Sequence, residues 1–119
     1  MRVLVTGGRI LSLEQHAALH QALDALHGAQ GRPITLIIEG GATGADSVAR
    51  AWALRNGVDK ITIYADWGAY GLAAGSRRNE EMLLQHQPDL VLAAAGRSGT
   101  LDCVGKALAL KIPVLHLED

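Results

Sequence analysis

Phenylalanine is missing from this 119-residue chain, and two tryptophans and two tyrosines are all the aromatic rings it has. A surface that holds nucleic acid by stacking bases needs more of them. A basic excess is missing as well. The 11 Lys and Arg against 12 Asp and Glu leave a formal net charge of −1, so no broad positive field draws the chain to nucleic acid or to an anionic membrane. Nucleic acid is therefore not an expected partner. A single cysteine, Cys103, excludes an internal disulfide and a cysteine-built zinc site, and suits a reducing compartment. No apolar run nears the roughly 18 residues that span a bilayer, and the apolar part of "MRVLVTGG" is too short for a secretory signal. The expectation is a cytoplasmic protein without membrane contact.

What is present is the balance of a globular chain, 49% hydrophobic and 19% charged, and residues 1–119 are expected to form one domain with one core. Short β-branched or leucine-rich runs stand at Val3 to Val5, Ile34 to Ile38, Ile61 to Tyr64, Leu90 to Leu92 and Ile112 to Leu117, each the length of a buried strand. Between them the spacing turns helical. Leu19, Leu23 and Leu26 recur at i, i+4, i+7, with Ser12 and Gln15 spaced as a capping box and Gly28 as a stop. Further helices are expected from Gly44 to Asn56, with Val48, Ala49, Trp52 and Ala53 inward, from Ser76 through Met82 and Leu83, and from Thr100 to Leu110.

Strands alternating with helices require right-handed crossovers and a parallel sheet covered on both faces. The expected fold is a Rossmann-like three-layer α/β/α sandwich with five parallel strands in the order 3-2-1-4-5. Such sheets bind ligands beyond the carboxyl ends of the strands, where the strand order reverses. Three glycine-rich turns fall on that edge: Gly7, Gly8 and Arg9 after the first strand; Gly40, Gly41, Ala42, Thr43, Gly44, Ala45 and Asp46 after the second; Gly96, Arg97, Ser98, Gly99 and Thr100 after the fourth. Glycine lets a bulky group approach the main chain, and a helix starting just beyond offers unpaired N–H groups and a partial positive charge. An anion, most often a phosphate, is what such a turn holds. Tight turning alone, with Asp46 capping its own helix, is the other reading of any one cluster. There is no G-x-x-x-x-G-K-[ST] and no G-x-G-x-x-G after the first strand, which excludes a P-loop ATPase and an ordinary NAD dehydrogenase.

The succession "VLVTGGR", "IIEGGATGAD", "ADW", "AAGSRRNEEML", "PDLVLAAAG", "GT" and "IPVL" resembles, over essentially the whole chain, the YspA and YpsA-related branch of the SLOG superfamily. The resemblance implies a Rossmann-like domain akin to the LONELY GUY phosphoribohydrolases and to DprA, with a nucleotide or nucleotide-derived ligand held at the glycine-rich helix starts. Ligand sensing and base-releasing hydrolysis are both implied for that branch, and self-association through helices beside the site implies a homodimer. The chain departs from the family pattern at Thr43 and Leu72, where relatives carry basic residues, and at Arg97, which adds charge where a glycine is usual. The glutamate pair that follows GT in the LONELY GUY enzymes is replaced by Leu101, Asp102 and Cys103, so Asp102 alone can stand in, on a shorter arm.

Among single side chains, Arg78 at the start of the third long helix is the expected anion clamp, since a guanidinium holds two oxygens at once. A surface ion pair with Glu80 or Glu81 is its alternative. Asn79 can hold a sugar or fix the preceding loop. Trp67 can stack on a base or cover the end of the core, and the loop from Asp66 to Gly75, with three glycines, can close as a lid. His16 and His20 are spaced i, i+4 but lack a third ligand, so no metal and no cofactor is expected. The expected function is binding of a nucleotide or nucleotide-derived phosphate as a sensor or binding module. The alternative is hydrolysis of the N-glycosidic bond of a nucleoside monophosphate, with Arg78 holding phosphate and Asp102 or Glu81 as the acid that meets positive charge on the ribose.

Overall fold

Strand β1 (Arg2–Thr6) is the middle of the sheet in a computed structural model, which describes residues 1–29 and 31–117. It pairs in parallel with β2 (Leu36–Glu39) on one side and β4 (Leu90–Ala93) on the other; β3 (Asp59–Thr62) and β5 (Val114–His116) close the edges, giving the order β3-β2-β1-β4-β5. This is the expected Rossmann-like order. Alternation along the strands decides which side chain goes to which layer. Val3 and Val5 with Ile37 and Leu92 pack on one face under α1 (Leu13–His27) and α2 (Ala45–Asn56), together with Leu19, Leu23 and the fully buried Trp52. Leu4, Ile38 and Val91 turn to the other face, where Met82 and Leu83 of α4 (Ala74–His86) and Cys103 and Ala107 of α5 (Ser98–Ala109) cover them.

Local signals set the helix ends. Ser12 accepts from Gln15 N at 3.1 Å while the Gln15 side chain accepts from Ser12 N at 2.9 Å, the reciprocal capping box read from the sequence. Gly57, left-handed at φ 64°, ends α2 by donating to Ala53 and Leu54 carbonyls. The Trp52 indole, expected in the core, donates to Asp24 Oδ1 at 2.8 Å and so loses no hydrogen bond on burial.

Three expectations need correction. The third strand runs Asp59–Thr62 rather than Ile61–Tyr64, because Asp59 pairs with Leu36 and an edge strand tolerates exposed Asp59 and Lys60. Residues 66–75 are not an open glycine loop. Asp66 accepts from Ala69 N at 3.0 Å and starts a short α3 (Trp67–Tyr70), a 3-10 turn follows at Gly71–Ala73, and α4 begins at Ala74, two residues before Ser76. Of the three glycines there, only Gly71 has positive φ. Arg78 consequently lies in the second turn of α4, not at its start.

Candidate functional site

The parallel strands end on one edge, and the three glycine turns meet there. Gly7 leaves no room for a side chain: a Cβ would stand 2.7 Å from that of Ala45 and 2.9 Å from that of Ala94, so the first turn is wedged between the other two. Main-chain bonds stitch them, from Gly8 N to Ala95 O at 2.6 Å and from Ala45 N to Gly8 O at 3.1 Å. Over this junction opens a cavity of about 1050 Å³, the size of a small-molecule site. Gly7, Gly8 and Arg9, Gly40 to Thr43, Asp46, Trp67, Arg78, Asn79 and Gly96 to Thr100 all line it. Gly44 and Ala45 do not, because Gly44 packs against Gly8 and Arg9 and Ala45 is fully buried. Tyr64 and Gln15 also line the cavity, although the sequence pointed to them only as a strand end and a capping-box residue.

The turn between β2 and α2 is held by a buried constellation that the sequence did not reveal. Glu39, with no exposed surface, accepts from Gly41 N at 2.8 Å, from Arg50 Nη1 at 2.6 Å and from the Thr62 hydroxyl. Arg50 also donates to Ala42 O at 3.1 Å, so the ion pair clamps the turn from behind. Arg50 lies 11 residues and Thr62 23 residues beyond Glu39; the only sequence signal was a glutamate ending an apolar run, which needs a cationic partner if buried. Asp46 is 7% exposed and turns back on the same turn, its Oδ2 accepting from Ala42 N at 3.2 Å. Burial pushes its carboxyl above the usual carboxylate range, and nearby Glu39 adds to this, while the Ala42 amide and Arg78 act against it.

These contacts occupy three of the five amides, Gly41 to Ala45, that an anion was expected to meet. Gly41 donates to Glu39, Ala42 to Asp46 and Ala45 to Gly8. Asp46 does not cap α2. The N-cap is Gly44, at φ 70°, and no side chain serves it. The start of α5 differs. Arg97 is its N-cap, again without a side-chain cap, and among the described residues no hydrogen bond engages the amides of Ser98, Gly99 and Thr100. First-turn amides have no partner within their own helix, so these three keep their donors and the partial positive charge of the helix end.

Arg78 reaches across from α4. Its Nη1 donates to Gly40 O at 2.7 Å and its Nε to Asn79 Oδ1 at 3.1 Å, and among the described residues it makes no ion pair with Glu80 or Glu81. Asn79, 3% exposed, donates to Gly99 O at 3.1 Å and Asp102 Oδ2 at 3.0 Å, tying α4 to the first turn of α5. Two of the three expected catalytic groups stand outside the cavity. Asp102 points at Asn79, at Ser76 (3.1 Å) and at Lys106 (3.2 Å). Partial burial pushes its carboxyl up, but these hydrogen bonds and the Lys106 charge outweigh it and leave it below the usual range. Glu81 lines a separate depression of about 260 Å³ with Asp66, Tyr70 and Arg77, whose guanidinium lies 4.3 Å over the Tyr70 ring. Trp67 does not cover the core; it is 52% exposed at the cavity rim.

Among the described residues, no group of three or more His, Cys, Asp or Glu side chains is arranged to hold a metal. His20 sits 3.5 Å from Asp24 and contacts Arg55, while His16 is exposed. No helix among the described residues is long and apolar enough to cross a membrane.

A parallel sheet with a glycine-walled cavity on its carboxyl edge defines a Rossmann-like α/β architecture. Residues 1–70 match the model of the YspA, cpYpsA-related SLOG family, and the chain belongs to that family. The chain is similar to the Gene 61 protein of Mycobacterium phage D29, at 36% identity over 99% of this chain and 97% of that protein. Its fold is that of DNA processing protein A (DprA) from Streptococcus pneumoniae, with TM-score 0.79 and 19% identity over 99% of this chain; this chain spans half the length of that one. DprA from Helicobacter pylori, described in terms of its single-stranded DNA binding mode, matches with TM-score 0.74 and 18% identity over 100% of this chain and 66% of that one. The Moco carrier protein from Chlamydomonas reinhardtii matches with TM-score 0.71 and 20% identity over 98% of this chain and 75% of that one.

Proposed function

We propose that residues 1–119 act as one SLOG-type binding module for a nucleotide or nucleotide-derived phosphate ligand, with the phosphate seated at the start of α5. One observation carries this reading: Ser98, Gly99 and Thr100, whose amides have no partner among the described residues, line a cavity of about 1050 Å³ together with Arg97, Arg9 and Arg78. A phosphate is stabilised there by N–H donors, helix dipole and guanidinium together. The rim supplies Trp67 and Tyr64 as surfaces on which a flat ring can rest.

Binding without turnover is favoured over hydrolysis because Asp102 and Glu81 stand outside the cavity. The neighbouring fold of a Moco carrier, a protein named for carrying rather than converting, agrees with this. Hydrolysis of an N-glycosidic bond is the second reading, and the carboxylate that lines the cavity, Asp46, is what favours it. The charge balance spoke against nucleic acid. A neighbour described by its single-stranded DNA binding has the same fold, so single-stranded DNA belongs among the ligands tried. A homodimer in the cytoplasm remains part of the proposal, supported by the exposed Trp67, Tyr70, Leu72 and Leu84 on α3, α4 and the turn between them.

The test is a panel of nucleoside monophosphates, ADP-ribose derivatives and a single-stranded oligonucleotide, read by thermal shift and by chromatography for free base. Stabilisation without base release is expected for at least one nucleotide. Release of base replaces the binding-module reading with the hydrolase, and no stabilisation by any phosphorylated compound removes both. Oligonucleotide binding with steep salt dependence would instead mark a nucleic-acid protein.

A further inference from the structure

The cavity has two chemically opposite ends. Its α5 end offers free amides and Arg97, whereas its α2 end presents Asp46, a residue only 7% exposed. Two main-chain amides meet that carboxylate, Ala42 N at 3.2 Å from Oδ2 and Gly40 N, and its remaining acceptor positions are left for the cavity. The nearest cation across the cavity does not neutralise it by contact. Arg78 is turned to Gly40 O and Asn79 Oδ1, and among the described residues no ion pair joins it to Asp46. An anion is repelled from such a position, and a group with O–H donors is attracted.

Dinucleotide-binding sheets place an acid near the end of the second strand to accept ribose hydroxyls. Here the residue ending β2 is Glu39, and its oxygens are consumed by Gly41, Arg50 and Thr62. Asp46, on the first turn of α2, is the carboxylate that remains available to the cavity. Strand β1 lies between β2 and β4, so the turns that follow those two strands are two strand spacings, about 10 Å, apart, a gap that a sugar together with its phosphate bridges and a bare phosphate does not.

We infer that the Asp46 carboxylate accepts the vicinal hydroxyls of a ribose whose phosphate sits at the start of α5. This rests on the phosphate-ligand reading above and narrows it to ribonucleotides or ribose phosphates over deoxyribose ones. The charged form is the one that takes two donors. The groups that set its ionisation are Glu39 from β2, Arg78 from α4 and, across the core, Cys103 from α5, with Arg50 of its own helix held by Glu39. Discrimination for the diol therefore weakens as acid protonates Asp46.

Calorimetric titration of the full chain and of Asp46→Asn with inorganic phosphate, ribose 5-phosphate and 2-deoxyribose 5-phosphate tests this. Two hydrogen bonds to a charged acceptor are worth roughly 10- to 100-fold in affinity. Wild type is expected to prefer ribose 5-phosphate over its 2-deoxy analogue by about tenfold, that being the loss of one such bond. Asp46→Asn is expected to reduce the preference to near unity while inorganic phosphate binds as well as before. Asp46→Ser serves as a second variant, and a thermal melt confirms that each is folded. The wild-type preference falls with decreasing pH and that of Asp46→Asn stays flat, a readout that a purely structural role of Asp46 would not move. If phosphate and sugar phosphates bind but the preference is absent, or survives in both variants, this inference is overturned and the phosphate seat stands. If no phosphate compound binds wild type, the reading beneath it fails and the inference falls with it.

Discussion

The guanidinium of Arg78 lies against Gly40: Nη1 donates to the Gly40 carbonyl at 2.7 Å, and a Cβ on Gly40 would stand 2.7 Å from Cζ. A residue on α4 is thereby placed over the turn that follows β2, 38 residues away. Gly40→Ala forces the arginine aside. Because the displaced group is the end of a flexible side chain, the expected loss of stability is under about 1 kcal/mol, while affinity for a phosphate ligand falls about tenfold through loss of a charged hydrogen-bond donor. Arg78→Ala should weaken binding to the same degree, and the double variant should be no worse than either alone. Urea unfolding and calorimetry measure the two effects separately.

Arg50→Ala leaves Glu39 buried without its cation. Unlike a surface ion pair, this one has a partner with no exposed surface, so truncation is expected to cost about 3 to 5 kcal/mol in urea unfolding. Removing both charges by Glu39→Gln with Arg50→Met should be milder than Arg50→Ala.

Asp46 and Asp102 are predicted to respond to pH with opposite sign. Asp46 has its folded pKa raised, so its ionisation costs stability, and the cost is complete only above that raised pKa. Asp46→Asn should therefore melt at higher temperature than wild type at neutral pH, with the gain shrinking as pH falls toward the usual aspartate range. Asp102 has its folded pKa depressed. Its contribution is present above the ordinary carboxylate value and is lost as pH falls through the depressed one, so Asp102→Asn should lower the melting temperature at neutral pH and matter little in strong acid. Ligand affinity of Asp102→Asn should stay within about twofold of wild type, a change of less than half a kcal/mol.

Cys103 is fully buried, and desolvation pushes its thiol up to about 11 despite a hydrogen bond with Thr6. The thiolate is the reactive form. Reaction with a disulfide reagent at neutral pH is expected to be slow in the folded protein and fast after denaturation, which absorbance at the released thiolate follows directly.

Much of the scaffold can be read along the chain because it depends on neighbours in sequence. The capping box at Ser12 and Gln15 involves residues three apart, and apolar periodicity places Leu19 and Leu23 inward. The parallel order then brings the turns after β1, β2 and β4 to one edge, so most of the expected cavity residues were identified from their position after a strand. Two placements did not follow. Glycine count in residues 66–75 argued for a loop, but the Asp66 cap starts a short helix there and a 3-10 turn continues it into α4. Charge pattern also left Arg78 free to pair with Glu80 or Glu81, and tertiary contact with Gly40 prevailed.

The order of strands and helices, their amphipathic faces and the gathering of glycine turns on one edge were determined by sequence alone, since periodicity and the handedness of crossovers act through local chain geometry. Which side chains face the cavity was decided only in three dimensions. Glu39 is consumed by Arg50 and Thr62, Asp46 is left facing the cavity, and Asp102 is drawn to Lys106 and Asn79. The reason is that a carboxylate goes where burial, hydrogen-bond donors and cations from distant segments balance its loss of water, and that balance exists only once those segments have packed together.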